Sequence, residues 1–234
     1  PAYAGRPTAA RMSLMIVVHH LEHSRSQRIL WLLEELGVPY EVKRYARNTK
    51  TMLAPPELKA VHPLGKSPVI TEDGVVTAET GAIIETLIDR HGQGRFRPAA
   101  EDPAFADYRY WLHYGEGSLM PLLVMKLIFG SIPPKTPALI RPIAKAIVGT
   151  VGKQFLDPNL ATHLGFVEQQ LQGRQWLAGD ALSGADILMS FPMEAAGTRA
   201  GGDYPNIREY VTRIQSRPAY QRALERGGPY RLLG

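Results

Sequence analysis

Leu14-Met15-Ile16-Val17-Val18, a polar segment over residues 19–26, then Ile29, Leu32, Leu33 and Leu36, then Gly37, Pro39 and the alternating Tyr40-Glu41-Val42-Lys43-Arg44-Tyr45: this run decides the fold. The first five residues are apolar without a break and end in three β-branched side chains, as in a strand covered on both faces. The four apolar residues at i, i+3, i+4 and i+7 predict an amphipathic helix. Gly37 suits the left-handed position that closes it, and Pro39 stops it continuing. Residues 40–45 alternate apolar and charged side chains, the period of a half-buried strand. The unit reads β-α-β, with a helix joining parallel strands.

Downstream, a polar stretch to Leu58 leads into His62-Pro63-Leu64-Gly65-Lys66-Ser67-Pro68. Two short strands, residues 69–71 and 75–77, flank Glu72-Asp73-Gly74. Asp-Gly is the strongest short hairpin signal, because the tight turn needs positive φ at both central positions. A helix over residues 79–91 carries Ile83, Ile84, Leu87 and Ile88 and ends at Gly92. Residues 14–92 therefore form a small α/β domain, and residues 93–103, rich in Gly, Pro and Arg, form a linker. From residue 104 to the end the pattern is helical. Asp102-Pro103 and Thr136-Pro137 read as helix starts, Asp157-Pro158 as a kink or restart, and Ser183 with Asp186 as a capping box. Two shorter helices over residues 207–216 and 218–226 close the chain. Residues 1–13 are aperiodic and read as a tail without the apolar core of a secretory signal.

At 234 residues the chain accommodates two compact domains. Hydrophobic residues at 44% give it enough apolar surface to fold, which excludes a largely disordered chain. No uninterrupted apolar run reaches the roughly 18 residues of a membrane span, and residues 121–132 are broken by Lys126 and Gly130; the expectation is no membrane partner. Cysteine is absent, so any thiol in the chemistry arrives with a substrate, and a reducing cytoplasm suits the chain. The net charge of +5 comes without a dense basic block interleaved with aromatics, so no nucleic-acid partner is expected, while a small anionic ligand is compatible.

Four features carry candidate chemistry. His19-His20-Leu21-Glu22-His23 matches the spacing of a zinc peptidase motif, but that motif needs a helix and this segment follows a strand, so no metal is expected. Ser24-Arg25-Ser26 precedes the first helix. A hydroxyl there either caps the helix or, beside the unpaired N–H groups of its N-terminus, stabilises a bound anion such as a thiolate; the residues alone leave both open. Ser67-Pro68 opens a strand, where proline's missing donor is tolerated; a cis bond would turn the Ser67 backbone outward toward a peptide-like ligand. Glu79-Thr80 begins a helix, and its carboxylate and hydroxyl suit a ligand with both an ammonium and a carboxylate group, although a helix-dipole glutamate beside a capping threonine looks the same.

In this order the features resemble the cytosolic glutathione S-transferases of the serine type found in bacteria and fungi. The matching segments are residues 23–40, residues 62–69 (family form Asn-Pro-x-Gly-Lys-Val-Pro), Glu79-Thr80 (family form Glu-Ser), Trp176-Leu177-Ala178-Gly179-Asp180 with residues 182–187, and residues 204–219. The resemblance implies a thioredoxin-like N-terminal domain followed by an all-helical C-terminal domain. It implies that Ser24 stabilises the glutathione thiolate and that Ser67, before a cis Pro68, pairs its backbone with the cysteinyl part. Lys66 would face the glycine carboxylate, and Glu79 with Thr80 would hold the γ-glutamyl end. Glutathione would be the co-substrate. Departures are His62, Ser67 and Thr80 in place of Asn, Val and Ser. Leu53 stands where some members use a histidine near the glycine carboxylate, and Lys50 or Arg47 is the available replacement.

Without cysteine, thiol exchange by the protein is excluded, which leaves conjugation of glutathione to a small apolar electrophile or glutathione-dependent peroxide reduction, both using the thiolate as nucleophile. The alternative is a non-catalytic carrier or interaction module of the same fold. Tyr108, Trp111, Tyr114 and Met120, with Tyr110, are the candidates for a second-substrate pocket, set against ordinary core packing at helical spacing. The resemblance also implies a two-fold homodimer. Surplus apolar residues on the helix over 79–91 (Ala82, Ile83, Ile84, Leu87, Ile88) and after Thr136 (Ile140, Ile143, Ile147, Val148, Val151) point the same way, unless they cover the seam between the domains.

Overall fold

The computed structural model describes residues 15–228 together with Tyr230 and Leu232; the expected tail over residues 1–13 lies outside the described residues, as does Leu14. The N-terminal half runs β1 (Ile16–Leu21), α1 (Gln27–Leu36), β2 (Tyr40–Tyr45), α2 (Glu57–Val61), β3 (Val69–Glu72), β4 (Val75–Ala78) and α3 (Thr80–His91). The four strands are ordered β2-β1-β3-β4. β1 and β2 are parallel, with Ile16 opposite Tyr40 and Leu21 opposite Tyr45, and β3 is antiparallel to both β1 and β4. Asp73 and Gly74 both adopt positive φ in the hairpin, as the tight turn demands. Gly37 takes φ 72° and returns its N–H to the Leu33 carbonyl. This is the thioredoxin-like arrangement.

β1 extends three residues beyond its expected end. His19, His20 and Leu21 belong to the strand rather than to a loop, because β2 offers a matching partner for each of them. Their polarity is satisfied inside: His19 Nδ1 bonds the Tyr45 hydroxyl and Nε2 the Thr71 hydroxyl, both at 2.9 Å. His19 lies in this strand and His23 in the turn after it, so the two histidines of the peptidase spacing do not share a helical face. α1 also departs from the one-sided helix expected: only Glu34 and Glu35 escape full burial. Leu30 and Trp31 make its second face apolar, and the helices Gly184–Arg199 and Pro218–Gly227 of the other domain cover that face. α2 has too few residues to show a period and was not foreseen.

The helical half comprises α4 (Ala104–Tyr114), a wide turn (Gly115–Leu119), α5 (Met120–Lys135), α6 (Arg141–Val151), a second wide turn (Gly152–Leu156), α7 (Asp157–Gln170), α8 (Gly184–Arg199), α9 (Pro205–Gln215) and α10 (Pro218–Gly227). The wide turns replace clean breaks: α4 runs into α5, and the restart expected at Asp157-Pro158 continues from the turn before it. By length and composition alone, Ala104–Lys135 contains a stretch apolar enough to cross a bilayer, although Lys126 and Gly130 interrupt its apolar run. α8 is the central helix. Its start carries the expected capping box, with Asp186 accepting the Ser183 N–H and hydroxyl at 2.9 Å, the Leu177 N–H at 2.9 Å and the Tyr210 hydroxyl at 3.0 Å. A Cβ on Gly184 would lie 2.7 Å from Ile88 Cδ1, so glycine lets α8 approach α3. Ile83, Ile84, Leu87 and Ile88 are accordingly buried within the chain at the domain seam, the alternative reading of that apolar surplus. Ile143 and Ile147 of α6 stay exposed, as do Leu139 and Ile140 just ahead of it.

Candidate active site

A cleft of about 220 Å³ opens where the ends of β1 and β3 meet α5 and α8. Its polar wall is built by Ser24, Arg25, Arg47, Lys66 and Ser67, and its apolar wall by Met120, Val124, Leu127 and Phe191, with Arg199 also lining it. Among the described lining residues none is acidic. A lining that carries Arg47 and Lys66 favours an anionic ligand, and an apolar wall opposite admits an apolar one.

Ser24 reaches the cleft but is itself only 5% exposed. It sits in the turn ahead of α1, where its carbonyl accepts the Gln27 N–H. Ser26, two residues on, is fully buried and is not among the lining residues. Its hydroxyl does not cap α1; it lies 2.7 Å from Ser24 Oγ and 2.9 Å from His20 Nδ1. Burial, with Arg44 and His23 nearby, pushes the His20 imidazole down to about 4, so it is neutral at physiological pH.

The Ser67–Pro68 bond is cis. The Ser67 hydroxyl donates to the His19 carbonyl at 2.9 Å and accepts the Leu21 N–H at 3.3 Å, which ties this loop to the end of β1. Its side chain is thus engaged within the fold, and its backbone is what it can offer a ligand. Lys66 is exposed beside it. Arg47 is held over the cleft by Glu22 Oε1 on its N–H, the Glu22 carbonyl on Nε and the Met52 carbonyl on Nη1. Leu53 also lines the cleft; Lys50 is not among the lining residues.

Glu79 and Thr80 stand at the start of α3 and do not line this cleft. Glu79 is exposed and holds φ at 70°, a left-handed backbone that a non-glycine residue adopts only at a cost. Thr80 is buried and accepts a hydrogen bond from Arg28 at 3.4 Å. Arg28 is a residue the sequence reading passed over. Fully buried, it also donates to the Leu188 carbonyl and pairs with Glu116, which in turn holds Arg25 at 2.6 Å. The signal was present: Arg28 lies four residues before Leu32, on the apolar stripe of α1, where an unpaired cation would not be tolerated. His20 was passed over for a different reason, its assignment to a loop.

Of the expected electrophile-side residues, the structure brings Met120 alone to the cleft. Tyr108 is buried beneath the start of α8, Trp111 stacks on Phe166 at 5.6 Å, and Tyr114 bonds His163 Nδ1 at 2.7 Å while facing a separate surface pocket. Tyr110 lines that same pocket. The period of α4 turns these rings toward α7 and α8, while the cleft wall comes from α5, one wide turn later.

Residues 24–90 match the family model described as the glutathione S-transferase N-terminal domain, and residues 153–218 match the C-terminal domain of the same family. The chain is 37% identical over 215 residues to glutathione S-transferase 3 of Schizosaccharomyces pombe, covering 91% of this chain and 88% of the relative. It is 36% identical over 228 residues to glutathione S-transferase 1 of Saccharomyces cerevisiae, covering 92% and 97%. Among solved structures, a glutathione S-transferase from Actinobacillus pleuropneumoniae is similar with a TM-score of 0.74 at 38% identity, covering 91% of this chain and 93% of that one. The two halves of the fold, the cleft between them and these relatives agree: the chain belongs to the glutathione S-transferase family and is an enzyme of that kind, a glutathione transferase.

Proposed function

We propose that the cleft binds glutathione, that Ser24 donates its hydroxyl hydrogen to the thiolate, and that the thiolate attacks a small apolar electrophile resting on Met120, Val124, Leu127 and Phe191. The observation that carries this reading is a hydroxyl at the N-terminal end of α1, in one cleft with Lys66, Ser67 and an apolar wall. A thiolate there meets a hydrogen-bond donor and the positive end of the α1 dipole, each of which lowers a thiol's pKa from about 8.5. Lys66 and Arg47 supply charge for the glycine carboxylate, and the cysteinyl part pairs with the Ser67 backbone before Pro68. Glu79 and Thr80, which lie outside the lining of the cleft, take the γ-glutamyl end in this reading. Binding sets the sulfur in line with the electrophile, and that orientation supplies much of the rate. Glutathione-dependent peroxide reduction is a side activity of the same nucleophile, and detoxification in the cytoplasm, as a homodimer, is the setting this reading implies.

The test is steady-state turnover with glutathione and a generic aryl halide, and in parallel an organic hydroperoxide. Saturable conjugation supports the reading. Glutathione binding without turnover of either substrate contradicts it and leaves a ligand carrier of the same fold.

A further inference from the structure

Behind Ser24 lies a buried chain of exchangeable hydrogens that ends on an imidazole. Ser24 Oγ is 2.7 Å from Ser26 Oγ, and Ser26 Oγ is 2.9 Å from His20 Nδ1. His20 and Ser26 are 2% and 0% exposed, so no bulk water competes for these contacts. The backbone at Gly227 favours the charged ring. A neutral imidazole carries one N–H; with that hydrogen on Nε2, Nδ1 turns a lone pair toward Ser26.

The direction of every hydrogen bond then follows. In that tautomer Ser26 gives its one hydrogen to His20 at 2.9 Å in preference to the Leu21 carbonyl at 3.5 Å, so it accepts from Ser24, and Ser24 turns a lone pair toward the cleft. In this order the site receives a thiol S–H rather than donating to a thiolate. Reversing the order, so that Ser24 donates to sulfur, Ser26 to Ser24 and Nδ1 to Ser26, requires one added proton on His20. It is the proton a thiol loses.

We infer that glutathione, when bound as the proposed function has it, passes its thiol proton through Ser24 and Ser26 to His20, which keeps it while the sulfur is anionic. The S–H bond breaks and its electron pair stays on sulfur. Ser24 Oγ takes that proton as it hands its own to Ser26 Oγ, which hands its own to Nδ1. The imidazolium formed carries a hydrogen on each ring nitrogen. Each serine ends with one hydrogen, as it began. His20 touches no substrate; it is a positioning residue that acts through the two hydroxyls.

The groups around the ring set the balance. Arg44, opposite His20 across the β1–β2 pair, and His23 disfavour the charged ring, while Glu22 and the Gly227 backbone favour it. At rest the ring is neutral and its lone pair available. A thiolate two hydroxyls away adds a negative charge that raises the ring's proton affinity. The coupling is reciprocal: holding the proton on His20 stabilises the thiolate.

The test counts protons. Glutathione is mixed with the full-length protein in weakly buffered solution at neutral pH, with an indicator dye reading proton release and ultraviolet absorbance reading thiolate. S-methylglutathione, which has no thiol, corrects for other titrating groups. Wild type is expected to form thiolate with far less than one proton released for each. His20→Asn, which still accepts from Ser26 but cannot hold a proton, and Ser26→Ala, which breaks the chain, are each expected to release one proton per thiolate. A full proton per thiolate in wild type overturns the inference without needing either variant, and so does release unchanged by both substitutions. Failure of wild type to form thiolate at all overturns the proposed function as well, which separates the two outcomes.

Discussion

Replacing Ser24 by Ala removes one donor to the developing thiolate and leaves the rest of the cleft in place. Ser24 accepts the Ser26 N–H at 3.3 Å, a long contact, and holds no other element of the fold beyond its neighbour's hydroxyl. The loss therefore falls on the chemistry more than on stability. One preorganised donor to an anion in a water-poor site contributes about 1.4 to 4 kcal/mol, or roughly ten- to a thousandfold in turnover. Ser26→Ala should cost less, because Ser26 never reaches the cleft. Steady-state kinetics with an aryl halide at saturating glutathione measures both variants, with glutathione affinity measured separately and expected to move little. If Ser26→Ala is the damaging substitution and Ser24→Ala is silent, the thiolate sits elsewhere and the assignment of Ser24 is wrong.

Glu79→Gln should raise the Michaelis constant for glutathione with little effect on the chemical step, the mark of lost uniform binding; an unchanged constant removes Glu79 from the site. Asp186→Ala strands four buried donors and should cost about 3–5 kcal/mol in urea unfolding, the range for breaking a buried charged network; a loss under about 1 kcal/mol would fit only a peripheral role. His20 titrates near 4 when folded against about 6.5 when unfolded. The unfolded chain therefore binds the extra proton between those values, and stability falls as pH drops through the window, by about 2 kcal/mol between pH 7 and pH 4.5. Urea midpoints of wild type and His20→Asn at the two pH values check this, and equal acid sensitivity contradicts it. Light scattering at micromolar concentration should give twice the 25.9 kDa of the chain; with Ile83, Ile84, Leu87 and Ile88 buried in the chain, exposed Ile140, Ile143 and Ile147 are an apolar face available to a second copy, and a mass near that of one chain sinks the homodimer.

Local chemistry made much of this legible in sequence. Gly37, Asp73-Gly74 and the Ser183–Asp186 box each fixed an element end, because a turn or cap needs particular residues at particular positions. What stayed hidden depends on distant partners. His19 and His20 look like loop residues until Tyr45, Thr71 and Ser26 satisfy them. Tyr108, Trp111 and Tyr114 are right for a pocket by residue type, but the orientation of α4 is set by its packing against α7 and α8, and no period within α4 reveals that. Ser24 and Ser26 are two residues apart in sequence, and only the turn ahead of α1 decides which of them meets the cleft.

The central claim is that this cleft turns the glutathione thiol into a thiolate by means of Ser24. The most direct measurement is the ultraviolet titration of the thiol of glutathione bound to the wild-type protein, repeated with Ser24→Ala. The account predicts a bound thiol titrating well below its usual value of about 8.5 in wild type and moving back toward that value in the variant. A bound thiol that titrates at its solution value in the wild-type protein, or one whose pKa is depressed equally without the Ser24 hydroxyl, would contradict it.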